Sequence, residues 1–83
     1  MWFIFITSLA KKHLARIPEK DRVWIANEVE KKIRTNPLSG DLVKLTTDSW
    51  RRRMGNYRII FQLNPKRKVV FILGITRRTS TTY

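Results

Sequence analysis

The sequence predicts an α+β domain in which an N-terminal strand and a helical hairpin precede antiparallel β-strands that form a small sheet, with helices on one face. Three observations lead to this fold class. An apolar run opens the chain, two segments with the apolar spacing of helices follow, and three segments rich in strand-forming residues complete it. Because the chain has 83 residues, we expect a single domain that covers residues 1–83.

The first strand is predicted at residues 2–7, where apolar residues are continuous up to a threonine. Such a run is typical of a strand that is covered on both faces. It is too short to span a membrane, and it lacks the basic start of a signal peptide. We therefore expect a buried strand and a cytoplasmic protein.

Two helices are predicted on either side of Pro18, which ends the first and suits the first turn of the second. Thr7 or Ser8 can cap the first helix, and the second runs to about Thr35. Each helix carries one apolar stripe, formed by Ala10, Leu14 and Ile17 in the first helix and by Ile25, Ala26, Val29 and Ile33 in the second.

Trp24 lies roughly opposite the apolar stripe of the second helix, at about 100° per residue. We therefore expect its side chain to be exposed in the isolated domain. Tryptophan is favoured as an anchor in protein interfaces, which makes Trp24 a candidate for binding a partner. The alternative is a single exposed aromatic residue without a function, as many proteins have.

A β-hairpin is predicted at residues 50–61, with the sequence WRRRMGNYRIIF, because Gly55-Asn56 separates two runs of strand-forming residues. Residues 38–49 before it form a loop that can include a short extended piece at 42–45. The period of two places Arg51, Arg53 and Arg58 on one sheet face if the apolar residues of the second strand point inward. Three guanidiniums would then converge, although arginines on a hairpin can also be plain solvated surface.

The C-terminal segment consists of a turn at residues 64–68, a strand at 69–75 and a polar tail at 76–83. The strand is apolar at nearly every position, so we expect it in the interior of the sheet.

Charge is distributed unevenly along the chain, which has 18 Lys and Arg against 6 Asp and Glu and a formal net charge of +12. Residues 1–48 carry nine basic residues and all six acids, whereas residues 49–83 carry nine basic residues and no acid. This balance implies an anionic partner, which can be a nucleic acid, an acidic protein or a membrane surface.

Cysteine is absent, which excludes disulfides, cysteine-based zinc sites and thiol chemistry. The one histidine, His13, cannot form a metal site by itself, and we expect it on the surface or boundary of the first helix. No metal and no cofactor are therefore expected.

The motif WRxRxGxYRIIF at residues 50–61, followed by an apolar strand and a tail with Arg77, Arg78 and Tyr83, resembles the RelE/ParE toxin superfamily of toxin–antitoxin systems. The resemblance covers nearly the whole chain. RelE-like members are ribosome-dependent endoribonucleases that cut mRNA, whereas ParE-like members poison DNA gyrase. The resemblance implies a toxin fold and favours the endoribonuclease, with a ParE-like gyrase inhibitor and a non-catalytic RNA-binding protein as alternatives.

The resemblance also implies the site residues of a metal-independent nuclease, in which the RNA 2′-OH attacks the adjacent phosphate. The expected catalytic residues are Arg51, Arg53, Arg58, Arg77 and Tyr83, with Arg78 as an alternative to Arg77. The expected RNA-binding residues are Arg52, Arg78, Lys66 and Lys68. The implied partners are mRNA on the ribosome and an acidic antitoxin that covers Trp24, without a membrane or a metal.

Two features depart from the RelE pattern. RelE itself has lysines where this chain has Arg51 and Arg53, and arginine is a poor general base because it stays protonated. Arg52 falls on the sheet face that should be buried, so we expect it near the strand end with its guanidinium reaching solvent.

Overall fold

The computed structural model describes residues 1–77, which form a mixed five-stranded sheet and two helices. The elements are β1 (Phe3–Ile6), α1 (Ser8–Ala15), α2 (Glu19–Glu28) with a π-helical continuation (Val29–Ile33), β2 (Asp41–Lys44), β3 (Ser49–Met54), β4 (Tyr57–Asn64) and β5 (Val69–Arg77). The strand order is β1-β5-β4-β3-β2, in which β1 runs parallel to β5 and the other neighbours are antiparallel. The predicted α+β fold class is confirmed.

The core lies between the helices and one face of the sheet. Alternate residues of β4 supply much of it, because Ile59 and Phe61 are fully buried and pack with Ile25 and Ile33 of the second helix. Burying a side chain of this size stabilises the fold by roughly 1.5–3 kcal/mol. The predicted stripe of the second helix is thus largely buried, and β5 lies inside the sheet as expected.

Thr7 caps α1 and also joins it to the sheet. Its Oγ1 accepts a hydrogen bond from the Ala10 amide at 3.3 Å and donates to the Ile72 carbonyl at 2.8 Å. The predicted cap is therefore confirmed, and the same side chain fixes the start of the helix against β5.

The second helix ends in a widened turn. The Arg34 amide donates to the Val29 carbonyl at 2.9 Å, which is the five-residue spacing of a π-helix. Helical structure stops at Ile33, two residues before the predicted end near Thr35. The Trp2 amide donates to the Arg34 carbonyl at 3.0 Å, so this end of the helix is joined to the chain just before β1.

Strand β1 is covered on one face only, which makes the expectation of burial on both faces wrong. Ile4 and Ile6 pack against the core, whereas Phe3 and Phe5 are 68% and 55% exposed. Within residues 1–77 the helices cover one sheet face, and alternation sends every second side chain of β1 to the other face.

The predicted hairpin is formed by β3 and β4, and the extended piece before it is the edge strand β2. The positive φ of the turn falls on Gly55 at +58°, which is the first central position of a type II′ turn. A Cβ at Gly55 would lie 3.1 Å from Cη2 of Trp24, so glycine also makes room for that ring.

Strand β5 contains a β-bulge that reverses the direction of its last side chains. Phe61 pairs with Ile72 and Ile60 pairs with Gly74, so Leu73 is an extra residue in the ladder. After the bulge, Arg77 pairs with the buried Tyr57. The strand also extends through Arg77, two residues beyond the predicted end, so the first part of the predicted tail belongs to the sheet.

His13 supports the strand just after the bulge. The Ile75 amide donates to His13 Nδ1 at 3.0 Å, beyond the point where β1 ends and can no longer pair with β5. A Cβ at Gly74 would lie 3.3 Å from His13 Cε1, so the absence of a side chain permits the close approach. The expected boundary histidine therefore has a structural role at the helix–sheet contact.

Arg52 is buried, and the expectation that its guanidinium reaches solvent is wrong. The side chain is 6% exposed and its Nη1 donates to the carbonyl and to Oγ of Ser39, the latter at 3.2 Å. Gly40, at φ +87°, passes so close that a Cβ there would lie 2.7 Å from Arg52 Cζ. Arg52 thus anchors the loop that leads into β2.

Tyr57 joins the start of β4 to α2. Its hydroxyl donates to Asp21 Oδ2 at 2.6 Å. This hydrogen bond, burial and the charge of Asp21 raise the pKa of Tyr57 above its ordinary value, while Arg77 acts in the opposite direction. Tyr57 therefore stays protonated and acts as a donor.

Replacing Tyr57 with Phe should make the stability of the protein less sensitive to alkaline pH. The pKa of Tyr57 is higher in the folded chain, so its contribution is fully present below the unfolded pKa of about 10 and is lost as pH rises through the folded value. Urea unfolding between about pH 8 and about pH 11 should give a steeper fall in unfolding free energy for the wild type than for Tyr57→Phe. Parallel pH profiles would contradict this role.

Replacing Arg52 with Ala should lower the free energy of unfolding by about 2 kcal/mol, because hydrogen bonds from a charged donor to Ser39 are lost. Arg53→Ala is the matched control, since Arg53 is the exposed neighbour and its loss should change stability by less than about 0.5 kcal/mol. Chemical denaturation measures both. Similar losses in the two variants would show that Arg52 is not an anchor.

Candidate nucleic-acid interface

Arg51, Arg53 and Arg58, here called the arginine cluster, lie together on the sheet face that points away from the helices. Arg53 and Arg58 are direct partners across β3 and β4, and Arg51 follows two residues along β3 opposite Ile60. The three side chains and two residues of β2, Asp41 and Val43, line a shallow depression of about 130 Å³. The predicted convergence of three guanidiniums is confirmed.

No ion pair of the described chain neutralises the arginine cluster. Within residues 1–77, the pairs at 4 Å or less are Glu28–Lys32 and Glu30–Arg34, both on the second helix. Like charges opposite each other on neighbouring strands destabilise a sheet. A bound anion would remove that repulsion, and the fork of a guanidinium matches two oxygens of a phosphate.

Thr76 is a member of this face that sequence reasoning missed. It is exposed and pairs directly with Arg58 across β4 and β5. Simple alternation along β5 from the buried Val70 and Ile72 would have placed it among the helices. The bulge at Leu73 places Thr76 on the face of the cluster, and no sequence signal marks that extra residue.

Arg77 is not brought to the arginine cluster. It pairs with Tyr57 and therefore lies on the helix side, where it lines a cavity of about 180 Å³ with His13, Arg16 and the chain at Ile17-Pro18. The predicted residues Arg78 and Tyr83 lie outside the described residues.

The remaining predicted RNA-binding residues are separated from the cluster. Arg52 is buried on the opposite side of β3. Lys66 and Lys68 are exposed in the β4–β5 turn, which begins after Asn64, roughly 20 Å along β4 from Arg58. Lys68 Nζ lies 5.6 Å from the ring centroid of Trp2, a distance that permits a cation–π contact.

Trp24 is 41% exposed on α2, as predicted, although one edge of its ring contacts the hairpin turn at Gly55. The described part of the chain, residues 1–77, contains no group of three or more His, Cys, Asp or Glu residues arranged to hold a metal ion. In the same residues no helix is both long enough and apolar enough to cross a membrane.

Comparison with known proteins gives a family match and a fold match. Residues 4–81 match the family described as the ParE toxin of the type II toxin–antitoxin system parDE. No curated protein sequence gives a significant match.

Solved toxin structures have the same fold at low sequence identity. The chain is similar to the RelBE2 toxin–antitoxin complex of Mycobacterium tuberculosis, with a TM-score of 0.81 and 19% identity over 93% of this chain and 98% of that one. It is also similar to the isolated E. coli RelE toxin, with a TM-score of 0.82 and 14% identity over 98% and 88% of the two chains. The archaeal RelE–RelB complex of Pyrococcus horikoshii gives a TM-score of 0.67 and 23% identity over 96% and 98%.

The family match covers nearly the whole chain, and the structural matches show the same arrangement of strands and helices. The motif at residues 50–61 therefore belongs to a known toxin fold. The chain has the fold of the RelE toxins, and it belongs to the family of ParE toxins of type II toxin–antitoxin systems.

Proposed function

We propose that this toxin is a ribosome-dependent endoribonuclease that cleaves mRNA and thereby inhibits translation in the cytoplasm. The observation that carries the proposal is the arginine cluster, three cations on one open sheet face without an ion-pair partner among residues 1–77. RNA supplies a row of phosphates that such a face can bind.

In the proposed reaction the 2′-oxygen of one nucleotide attacks the adjacent phosphorus and the bond to the 5′-oxygen breaks. The products are a 2′,3′-cyclic phosphate and a 5′-hydroxyl, so the proton lost by the 2′-OH is balanced by one gained at the 5′-oxygen. Arg58, at the centre of the cluster between Arg53 and Thr76, would stabilise the charge of the phosphorane.

Arg51 and Arg53 would hold the flanking backbone and favour ionisation of the 2′-OH by proximity. Arginine is a poor general base, so the rate must come from orientation and charge stabilisation on mRNA that the ribosome positions. Arg77 lies on the other sheet face, and we assign it no role at the phosphate. From the family resemblance we expect Arg78 near the leaving oxygen and Tyr83 stacked on a base.

Inhibition of DNA gyrase is the second candidate function, because the matching family is that of ParE toxins. The arginines at positions 51 and 53, where RelE has lysines, are compatible with this candidate and with an RNA-binding protein that does not cleave. The two activities are separated by assaying toeprints on translating ribosomes and supercoiling by gyrase with the same preparation.

We also propose an acidic antitoxin that covers Trp24. RelE relatives are found in complexes with their antitoxins, and this chain has a net charge of +12. Trp24 contacts the turn at Gly55, only two residues from Arg53 and three from Arg58. A segment anchored on Trp24 could therefore pass around the turn and place acidic side chains on the arginine cluster.

Replacing Arg58 with Ala should reduce cleavage of ribosome-bound mRNA by about 10²–10³-fold, as when one charge-stabilising donor is lost at an active site. The measurement is primer extension on stalled ribosomes. Arg67→Ala is the matched control, because it removes the same charge from the exposed β4–β5 turn. Circular dichroism shows whether both variants stay folded. Unchanged cleavage by folded Arg58→Ala would contradict the role of Arg58.

Replacing Trp24 with Ala should weaken antitoxin binding by about 2 kcal/mol and leave mRNA cleavage unchanged. Isothermal titration calorimetry measures the affinity. Val23→Ala is the matched control, because Val23 is the adjacent exposed residue of α2, at 52%. If Trp24→Ala binds the antitoxin as tightly as the wild type does, Trp24 is not an anchor.

A further inference from the structure

Three phenylalanines continue the open sheet face beyond the arginine cluster, and they are here called the phenylalanine platform. Phe3 and Phe5 come from β1 and are 68% and 55% exposed, and Phe71 of β5 is half-buried. Phe5 and Phe71 are direct strand partners whose ring centroids lie 5.7 Å apart in an edge-to-face contact. Exposed aromatic residues grouped in this way are unusual on a domain of 83 residues unless they bind something.

The platform and the arginine cluster lie on one continuous surface. Phe71 pairs with Gln62, which is four residues along β4 from Arg58. The separation is therefore roughly 13 Å along the strand and roughly 5 Å across to the next strand. A few nucleotides of a single strand can bridge that distance.

A cation also lies at the far end of the platform. Phe71 lines a depression of about 340 Å³ together with Gln62 and Asn64 of β4 and Lys66 of the β4–β5 turn. The surface thus runs from three arginines across aromatic rings to a lysine. Proteins that bind single-stranded nucleic acids combine these elements, because cations follow the phosphates while aromatic rings stack on the bases.

We propose that the phenylalanine platform stacks on unpaired bases of the same RNA whose phosphates the arginine cluster holds. The proposal rests on RNA as the ligand of that cluster. Stacking on a phenylalanine ring does not depend on which base is present, so the platform positions the strand and selects unpaired over paired RNA. Lys66 would hold a phosphate beyond the stacked bases.

Two acidic residues lie on this face and lower its positive charge. Asp41 lies beside the cluster opposite Arg53, and Asp48 accepts a hydrogen bond from Gln62 at 3.1 Å near Phe71. Each carboxylate shares its depression with basic residues, Asp41 with the arginine cluster and Asp48 with Lys66. Three arginines outweigh the single carboxylate at the cluster, so the net charge there still attracts a phosphate. An antitoxin segment is the alternative occupant of the phenylalanine platform, and binding measurements with RNA and with the antitoxin distinguish the two ligands.

The test compares 2′-O-methyl oligoribonucleotides, which cannot be cleaved because the nucleophile is blocked, with oligomers of equal length and charge that contain a run of abasic residues. Fluorescence anisotropy should show that the wild type binds the base-bearing strand about tenfold or more tightly than the abasic one. The double variant Phe5→Leu/Phe71→Leu should lose that preference and bind both strands as the wild type binds the abasic one.

Two controls separate stacking from a change in the fold. Phe5→Tyr keeps an aromatic ring and should keep the preference, and Leu9→Ala, an exposed apolar residue of α1, should behave as the wild type. Rising salt should lower the affinity for both strands by the same factor and leave the ratio of the two affinities unchanged, because stacking is not electrostatic.

The proposal is overturned if the wild type binds no RNA or binds the base-bearing and abasic strands equally. It is also overturned if the double leucine variant loses affinity for both strands by the same factor. A double leucine variant that keeps the preference for base-bearing RNA but binds the antitoxin less tightly would also overturn the proposal, because the platform would then be an antitoxin-binding surface. A wild type that prefers base-bearing RNA but gives no ribosomal cleavage would leave the platform intact and reject only the nuclease.

Discussion

The alternation of buried and open residues along β4 is the constraint on which the rest of the structure depends. Ile59 and Phe61 are fully buried beneath the helices, so the pleat forces Arg58 onto the opposite face. The pairing with β3 then places Arg53 directly beside it. Burial of the apolar residues thus keeps the arginines close together although their charges repel each other.

One extra residue in β5 decides which groups share that face. The bulge at Leu73 sends Arg77 to the helix side and brings Thr76 beside Arg58. The bulge is held by the contacts of α1, because Thr7 Oγ1 donates to the Ile72 carbonyl and His13 accepts from the Ile75 amide. The packing of a helix on one side of the sheet therefore determines the chemistry available on the other.

The two faces of the sheet carry different groups. The helix side carries Trp24 against the hairpin turn, while the open side carries the arginine cluster and the phenylalanine platform. Because the turn at Gly55 joins both sides, a protein on one side and an RNA on the other would meet at the hairpin end.

The sequence by itself determined the fold class, the hairpin, the convergence of three arginines and the exposure of Trp24, because these follow from local periodicity and turn residues. Tertiary structure decided the burial of Arg52, the exposure of Phe5 and the direction of Arg77. The burial of Arg52 depends on a hydrogen bond to the carbonyl of Ser39, thirteen residues away. The exposure of Phe5 depends on which face of the sheet the helices cover. Arg77 depends on a bulge that only pairing between strands creates, since a one-residue slip in register turns every later side chain to the other face.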